Sequence, residues 1–259
     1  MRKRNMLGAG LAFAAGAFGM TERRTIASSR PIRVAAASDL KFALAELAGR
    51  YEKETGQAVE LNLGSSGQFA QQIRQGLPAD LFMAADEDFV FLLADAGLTR
   101  DRGVVYALGR IALLVPIASP IVLDPGLRGL RDALPGLRHF AIANPEHAPY
   151  GRAARQALER LGLWSIVQPK LVIGENIAQA TQFVTSGAAQ AAISAVSLAL
   201  APEVARLTRS MTLPADLHAP LRQRMVLLRS ASGPAIGFYR YLQTPAARGV
   251  LQRYGFAFG

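Results

Sequence analysis

Four short segments carry residues that can hold an anion without a cationic side chain. They are Ser38-Asp39, Gly64-Ser65-Ser66-Gly67, the run 144–151 containing Pro149-Tyr150, and Gly174-Glu175-Asn176-Ile177. In each, an apolar run gives way to small or hydrogen-bonding residues and then to a stretch with helical spacing. The first turn of a helix leaves backbone N–H groups unpaired, and the aligned peptide dipoles put partial positive charge there. Together these make a seat for an oxyanion. Serine hydroxyls add donors that rotate to suit a ligand, and Gly64 and Gly67 let the backbone approach closely. Taken singly, each residue also fits plain local structure. Ser38 and Asn176 suit helix N-caps, Asp39 suits an outward first-turn acid, and Ser65-Ser66 is ordinary turn chemistry. Binding is read only from the four together.

Other chemistry finds little support. His139, His147 and His218 are scattered and lack metal-ligand spacing. No serine lies in a G-x-S-x-G elbow, and neither dinucleotide nor phosphate-loop glycine patterns occur. Asp80, Asp86 and Asp88 read as a solvated turn and a strand-end cap rather than as catalytic acids. The chain is therefore read as a binding protein with no catalytic residue, no cofactor and no metal of its own. The rival is an enzyme using Ser38 or Ser66 as nucleophile. That needs an adjacent base, and nothing in the sequence places His147, which lies on a candidate turn, beside either serine.

The elements that must position these turns alternate. Strands are expected at 33–37, 59–63, 81–84, 110–116, 140–143, 171–173, 191–195 and 225–229. Helices are expected at 39–53, 69–75, 89–96, 151–161, 176–184 and 234–254. Alternation of this kind argues for an α/β fold with mainly parallel sheets. Ligands in such sheets sit beyond the carboxyl ends of the strands. Two blocks suggest two lobes, 31–112 with 213–259 and 113–212, joined by two chain crossings. A single wide sheet is the alternative.

Residues 1–30 read differently. Arg2, Lys3 and Arg4 precede an apolar run over 7–20, and small residues follow at Ala27, Ser28 and Ser29. That is the order of a secretory signal peptide. The apolar run is shorter than the ~20 residues that span a bilayer, which argues against a retained anchor. The whole chain of 259 residues carries 29 basic and 19 acidic residues. Without 1–30, 23 basic and 18 acidic residues remain, a net of +5. No dense basic run remains, so no nucleic-acid partner is expected. A mild positive field can still draw an anion in. The absence of cysteine excludes a disulfide framework and a lipid-modified N-terminal cysteine.

The ordered segments Val34-Ala35-Ala36-Ala37-Ser38, Gly64-Ser65-Ser66-Gly67-Gln68, Pro78-Ala79-Asp80-Leu81-Phe82 and Ala85-Asp86 resemble those of periplasmic molybdate-binding proteins of ABC importers. Asn144-Pro145-Glu146-His147-Ala148-Pro149-Tyr150-Gly151, Glu175-Asn176-Ile177 and Arg253-Tyr254-Gly255-Phe256 extend the resemblance over the chain after residue 30. The resemblance implies a two-lobed periplasmic-binding-protein fold of type II with the anion in the interlobe cleft. It implies contacts from hydroxyl and N–H of Ser38 and Ser66, and from backbone N–H at Tyr150 and Ile177. It further implies molybdate or tungstate as ligand, a membrane permease as partner, a periplasmic location and a monomeric state. Phosphate, sulfate and a regulatory effector domain remain as alternatives. Two positions depart from the best-known relatives. Ala195 stands where they carry a ligand-reaching tyrosine, and the Tyr150 hydroxyl is a candidate replacement. Asp39 places a carboxylate beside the expected anion site.

Overall fold

The computed structural model describes residues 30–259, so the signal-peptide expectation for 1–30 lies outside the described residues. The strands are β1 Ile32–Ala37, β2 Val59–Gly64, β3 Leu81–Ala84, β4 Val104–Gly109, β5 Ile111–Pro116, β6 Phe140–Ala143, β7 Leu171–Gly174, β8 Ala191–Ala195, β9 Thr208–Thr212 and β10 Leu221–Leu227. The helices are α1 Lys41–Thr55, α2 Ser66–Arg74, α3 Glu87–Asp95, α4 Arg128–Ala133, α5 Pro149–Arg160, α6 Trp164–Val167, α7 Ile177–Thr185, α8 Val196–Ala199, α9 Pro202–Ala205, α10 Gly233–Tyr241 and α11 Pro245–Arg253.

Two five-stranded sheets form, in the orders β2-β1-β3-β10-β4 and β7-β6-β8-β5-β9. The single-sheet alternative is thereby removed, and the fold is a two-lobed α/β arrangement. The expectation of mainly parallel sheets needs correction. β1 pairs in parallel with β2 and β3, but β10 is antiparallel to β3 and β4. The second sheet repeats this, with β6 parallel to β7 and β8 and β5 antiparallel to β8 and β9. The antiparallel strands are those through which the chain passes between sheets. Only Arg110 separates β4 from β5.

Local sequence explains most elements. β1, β3, β6 and β8 are short, almost wholly buried apolar runs, as strands covered on both faces must be. α5 carries one apolar stripe, with Ala153, Ala154, Ala157 and Leu158 buried and Arg152, Arg155 and Arg160 outward or at the surface. The expected long C-terminal helix is in fact two, α10 and α11. The Thr244 hydroxyl caps the second by accepting from the N–H of Ala247, and Pro245 takes its first position. Proline is welcome there and not in a helix interior. Strands β4 and β9 escape the sequence reading. β9 is mostly polar and partly exposed, and β4 is an apolar run only partly buried at the sheet edge.

The core divides with the sheets. One apolar cluster surrounds β5, β6 and β8 with α5 and α7. Two others cover the opposite faces of the first sheet. There Tyr51 of α1 packs on Phe238 of α10, ring centroids 5.0 Å apart, which ties the chain's end to its start. Asp80 is wholly buried rather than in a solvated turn. It accepts from the Arg30 guanidinium and from the N–H groups of Arg33 and Ser232. Burial pushes its carboxyl up, but these bonds outweigh it and hold the group below its ordinary value.

Candidate functional site

All four turns meet. Ser38 opens a 3-10 turn directly after β1, Ser66 begins α2 after β2, Tyr150 lies in the first turn of α5, and Ile177 begins α7 after β7. Ser38, Ser66, Tyr150 and Ile177 all line one small cleft pocket, and none is more than 3 % exposed. Ser65, Asn176 and Asp39 line it as well. Among the described residues, no Lys, Arg or His lines it. Negative charge there can be met only by hydroxyls, backbone N–H groups and the helix dipoles.

The capping roles sort out cleanly. Asn176 is the expected N-cap of α7, its side chain accepting from the N–H groups of Ala178 and Gln179. Ser38 is not a cap. Ala37 holds that position, and the Ser38 hydroxyl instead accepts from Ala178 N–H across the cleft at 3.2 Å. The Ser66 hydroxyl accepts from Ala85 N–H at 2.9 Å. Each serine thus has its oxygen fixed by a backbone donor and keeps its own hydrogen to give.

Several contacts join the lobes around the pocket. Ser65 donates to the His147 carbonyl at 2.6 Å, and Gly67 N–H donates to the same oxygen at 3.0 Å. A Cβ on Gly67 would stand 2.6 Å from that oxygen, so only glycine allows this approach. Gln68 bonds Glu175, and Asp86, the N-cap of α3, pairs with Arg152 of α5. His147 Nδ1 lies 2.9 Å from Ser65 Oγ. Because Ser65 gives its one hydrogen to the carbonyl, the ring nitrogen is left to donate. The histidine therefore sits beside Ser65, not beside Ser38 or Ser66.

Asp39 departs from expectation. An outward first-turn acid was anticipated, but Asp39 is 1 % exposed. Its Oδ2 accepts from the Tyr150 hydroxyl at 2.9 Å and from Gln223 Nε2 at 2.6 Å. Gln223 is itself held by Tyr106, whose hydroxyl donates to Gln223 Oε1 at 2.7 Å. Asp39 Oδ1 is buried with no hydrogen-bond partner. Burial pushes the Asp39 carboxyl up to about 7, against the opposing pull of Gln223, Tyr150 and the nearby N–H groups of Asp39 and Leu40. Those N–H groups favour the charged form without making a hydrogen bond to Oδ1. The Tyr150 hydrogen is committed to Asp39, and Ala195 does not line the pocket.

Gln223 and Tyr106 were missed in the sequence. A signal existed for the first: in β10, Leu221, Gln223 and Met225 share the buried face, so a polar side chain sits in an apolar row. A buried polar group of that kind calls for a partner. Gly109 is the other missed residue, since a Cβ there would meet the Tyr150 hydroxyl at 2.5 Å.

Two α/β lobes closing on a pocket lined by hydroxyl and N–H donors define a solute-binding protein. Residues 32–257 match the model of the bacterial extracellular solute-binding protein family, and the chain belongs to that family. The molybdate-binding protein ModA of Azotobacter vinelandii is 35 % identical over 236 residues, covering 89 % of this chain and 91 % of that protein. The molybdate-binding protein ModA of Escherichia coli strain K12 is 30 % identical over 254 residues, covering 96 % of this chain and 95 % of that protein. The solved structure of the Azotobacter vinelandii periplasmic molybdate-binding protein superposes with a TM-score of 0.80 at 30 % identity, over 88 % of this chain and 99 % of that one. Within the wider family, the chain thus belongs with the molybdate-binding proteins.

Proposed function

We propose that this protein captures molybdate, and tungstate similarly, in the periplasm and delivers it to the membrane permease of an ABC importer. The observation that carries this is the meeting of Ser38, Ser66, Tyr150 and Ile177 around one pocket with no cationic side chain. Ser38 and Ser66 give hydroxyl hydrogen bonds to the anion's oxygens, and the N–H groups of Tyr150 and Ile177 give backbone ones. Charged acceptors strengthen such bonds. Tungstate has nearly the size and charge of molybdate, whereas sulfate is smaller and reaches fewer donors at once. Closure is a hinge motion of the lobes about their two crossings, and the closed form docks on the permease. The resemblance to named molybdate-binding relatives supports the choice of anion. No covalent step is involved.

Thermal unfolding with molybdate, tungstate, sulfate and phosphate tests this reading. A ligand at ~100 times its Kd adds about 2.7 kcal/mol, or roughly 5–10 °C at ~2–4 °C per kcal/mol. Molybdate and tungstate are expected to give that shift. Absence of a shift with every oxyanion would overturn the function, and a larger shift with phosphate would replace the ligand.

A further inference from the structure

Asp39 poses a problem of charge. Among the described residues it is the only carboxylate lining the pocket, and no cationic side chain lines it. A dianion held beside a second, fully buried negative charge is costly where every surrounding donor is neutral. Asp39 Oδ2 is already supplied by Tyr150 and Gln223, while Oδ1 of the same group is buried with no hydrogen-bond partner among the described residues, only the N–H groups of Asp39 and Leu40 favouring its charge. An unpartnered carboxylate oxygen on a residue that lines an oxyanion pocket lacks a hydrogen, and an oxyanion cannot bring one unless it is protonated.

We infer that one proton is held between Asp39 Oδ1 and an oxygen of the bound oxyanion, so that Asp39 is a specificity-determining residue that couples capture to proton uptake. This rests on the oxyanion-binding function proposed above. With Asp39 ionised, the balance is one dianion, one carboxylate and one proton from solvent giving a complex two charges negative. With Asp39 already protonated, no proton is taken up and the acid donates directly to the anion. Anions that share a proton well gain over those that do not.

The surroundings leave the proton no other home. Tyr106 of β4 and Tyr150 of α5 face Asp39, and burial holds both hydroxyls well above their ordinary range, so they remain donors. Gln223 of β10 does not titrate. α8 contributes only the Ser197 hydroxyl, which donates to the Asp39 carbonyl. From α7 and its cap come Asn176 and Ile177, and from the second turn Gly64, Ser65 and Ser66. Nearby charges point elsewhere. Lys41 of α1 lies exposed over the Phe42 ring, Glu175 takes Gln68, and Asp86 takes Arg152. His147, on the loop before α5, is turned to Ser65.

Calorimetric titration of the protein with sodium molybdate between pH 7 and 9, in two buffers of different ionisation enthalpy, tests this. The parent should take up close to one proton at the upper end, and its affinity should fall about tenfold per pH unit there. In Asp39→Asn the amide oxygen still accepts from Tyr150 and Gln223 while its NH2 donates to the anion. Its affinity should be flat with pH and free of proton exchange. Parent binding that is pH-independent without proton uptake would overturn the inference and leave the function standing, as would a slope that survives in Asp39→Asn. Failure of the parent to bind any oxyanion at any pH would remove the function itself. The buffer measurement on the parent alone decides the matter if the variant does not fold.

Discussion

The two lobes share one plan and differ in what they give to the cleft. Each sheet has three parallel strands ordered second-first-third, then one strand running against them and an edge strand antiparallel to that one. The first lobe offers side chains: the hydroxyls of Ser38 and Ser66 and the carboxyl of Asp39. The second offers mainly backbone, at the starts of α5 and α7, with one tyrosine hydroxyl turned to its neighbour. The difference teaches where sequence can vary. A donor that is a side chain is lost with its residue, while a donor that is a peptide N–H survives any substitution that keeps the helix start.

The largest effect expected from this contrast is on stability in the first lobe. Asp39 is raised from 3.8 to about 7 on folding. A carboxyl with a raised folded value favours the folded state most at low pH, below its unfolded value, and that contribution disappears as pH climbs through about 7. The swing is on the order of 4 kcal/mol at ~1.36 kcal/mol per unit. Ligand-free Asp39→Asn should therefore gain on the parent in thermal unfolding between pH 4 and pH 9. Equal pH profiles for the two proteins would show that Asp39 is not a buried charge. A middle effect is expected from Ser66→Ala, which removes a donor to a charged ligand and leaves Ala85 N–H without its acceptor. At ~1.5–3 kcal/mol for such a bond, molybdate affinity should weaken about ten- to a hundredfold by calorimetry. An unchanged Kd would remove Ser66 from the site. The smallest effect belongs to the second lobe. Ile177→Val keeps the N–H and trims one buried methylene, so Kd should stay within about twofold even as stability drops ~0.5–1.5 kcal/mol. A tenfold loss there would break the division between side-chain and backbone donors.

Much of this was legible before the structure. Short, largely apolar runs at 81–84, 140–143 and 191–195 are strands with those bounds, as expected of strands covered on both faces. The four turns holding Ser38, Ser66, Tyr150 and Ile177 followed from the rule that helix starts cluster beyond strand ends, and the family resemblance singled out those four residues within them. What escaped depends on distant partners. The direction of Asp39 is set by Gln223, 184 residues away, and no local pattern announces that. The edge strand β9, Thr-Arg-Ser-Met-Thr, shows neither clear alternation nor an apolar run, whereas β4, Val-Val-Tyr-Ala-Leu-Gly, is an apolar run that the sequence reading passed over. Ser65 was read as turn chemistry, and its bond to the His147 carbonyl reaches across 82 residues.

The place of β10 between β3 and β4 governs the order in which the chain can assemble. β4 finds its sheet partner only in β10, more than a hundred residues later. The second sheet draws all its strands from 111–212 and is complete in the nascent chain by then. The first must wait with β3 and β4 apart until nearly the last residues are made, and long-range pairings of that kind form slowly. Until β10 is made, the β3 and β4 edges of the first sheet stay unpaired while the second sheet can already close.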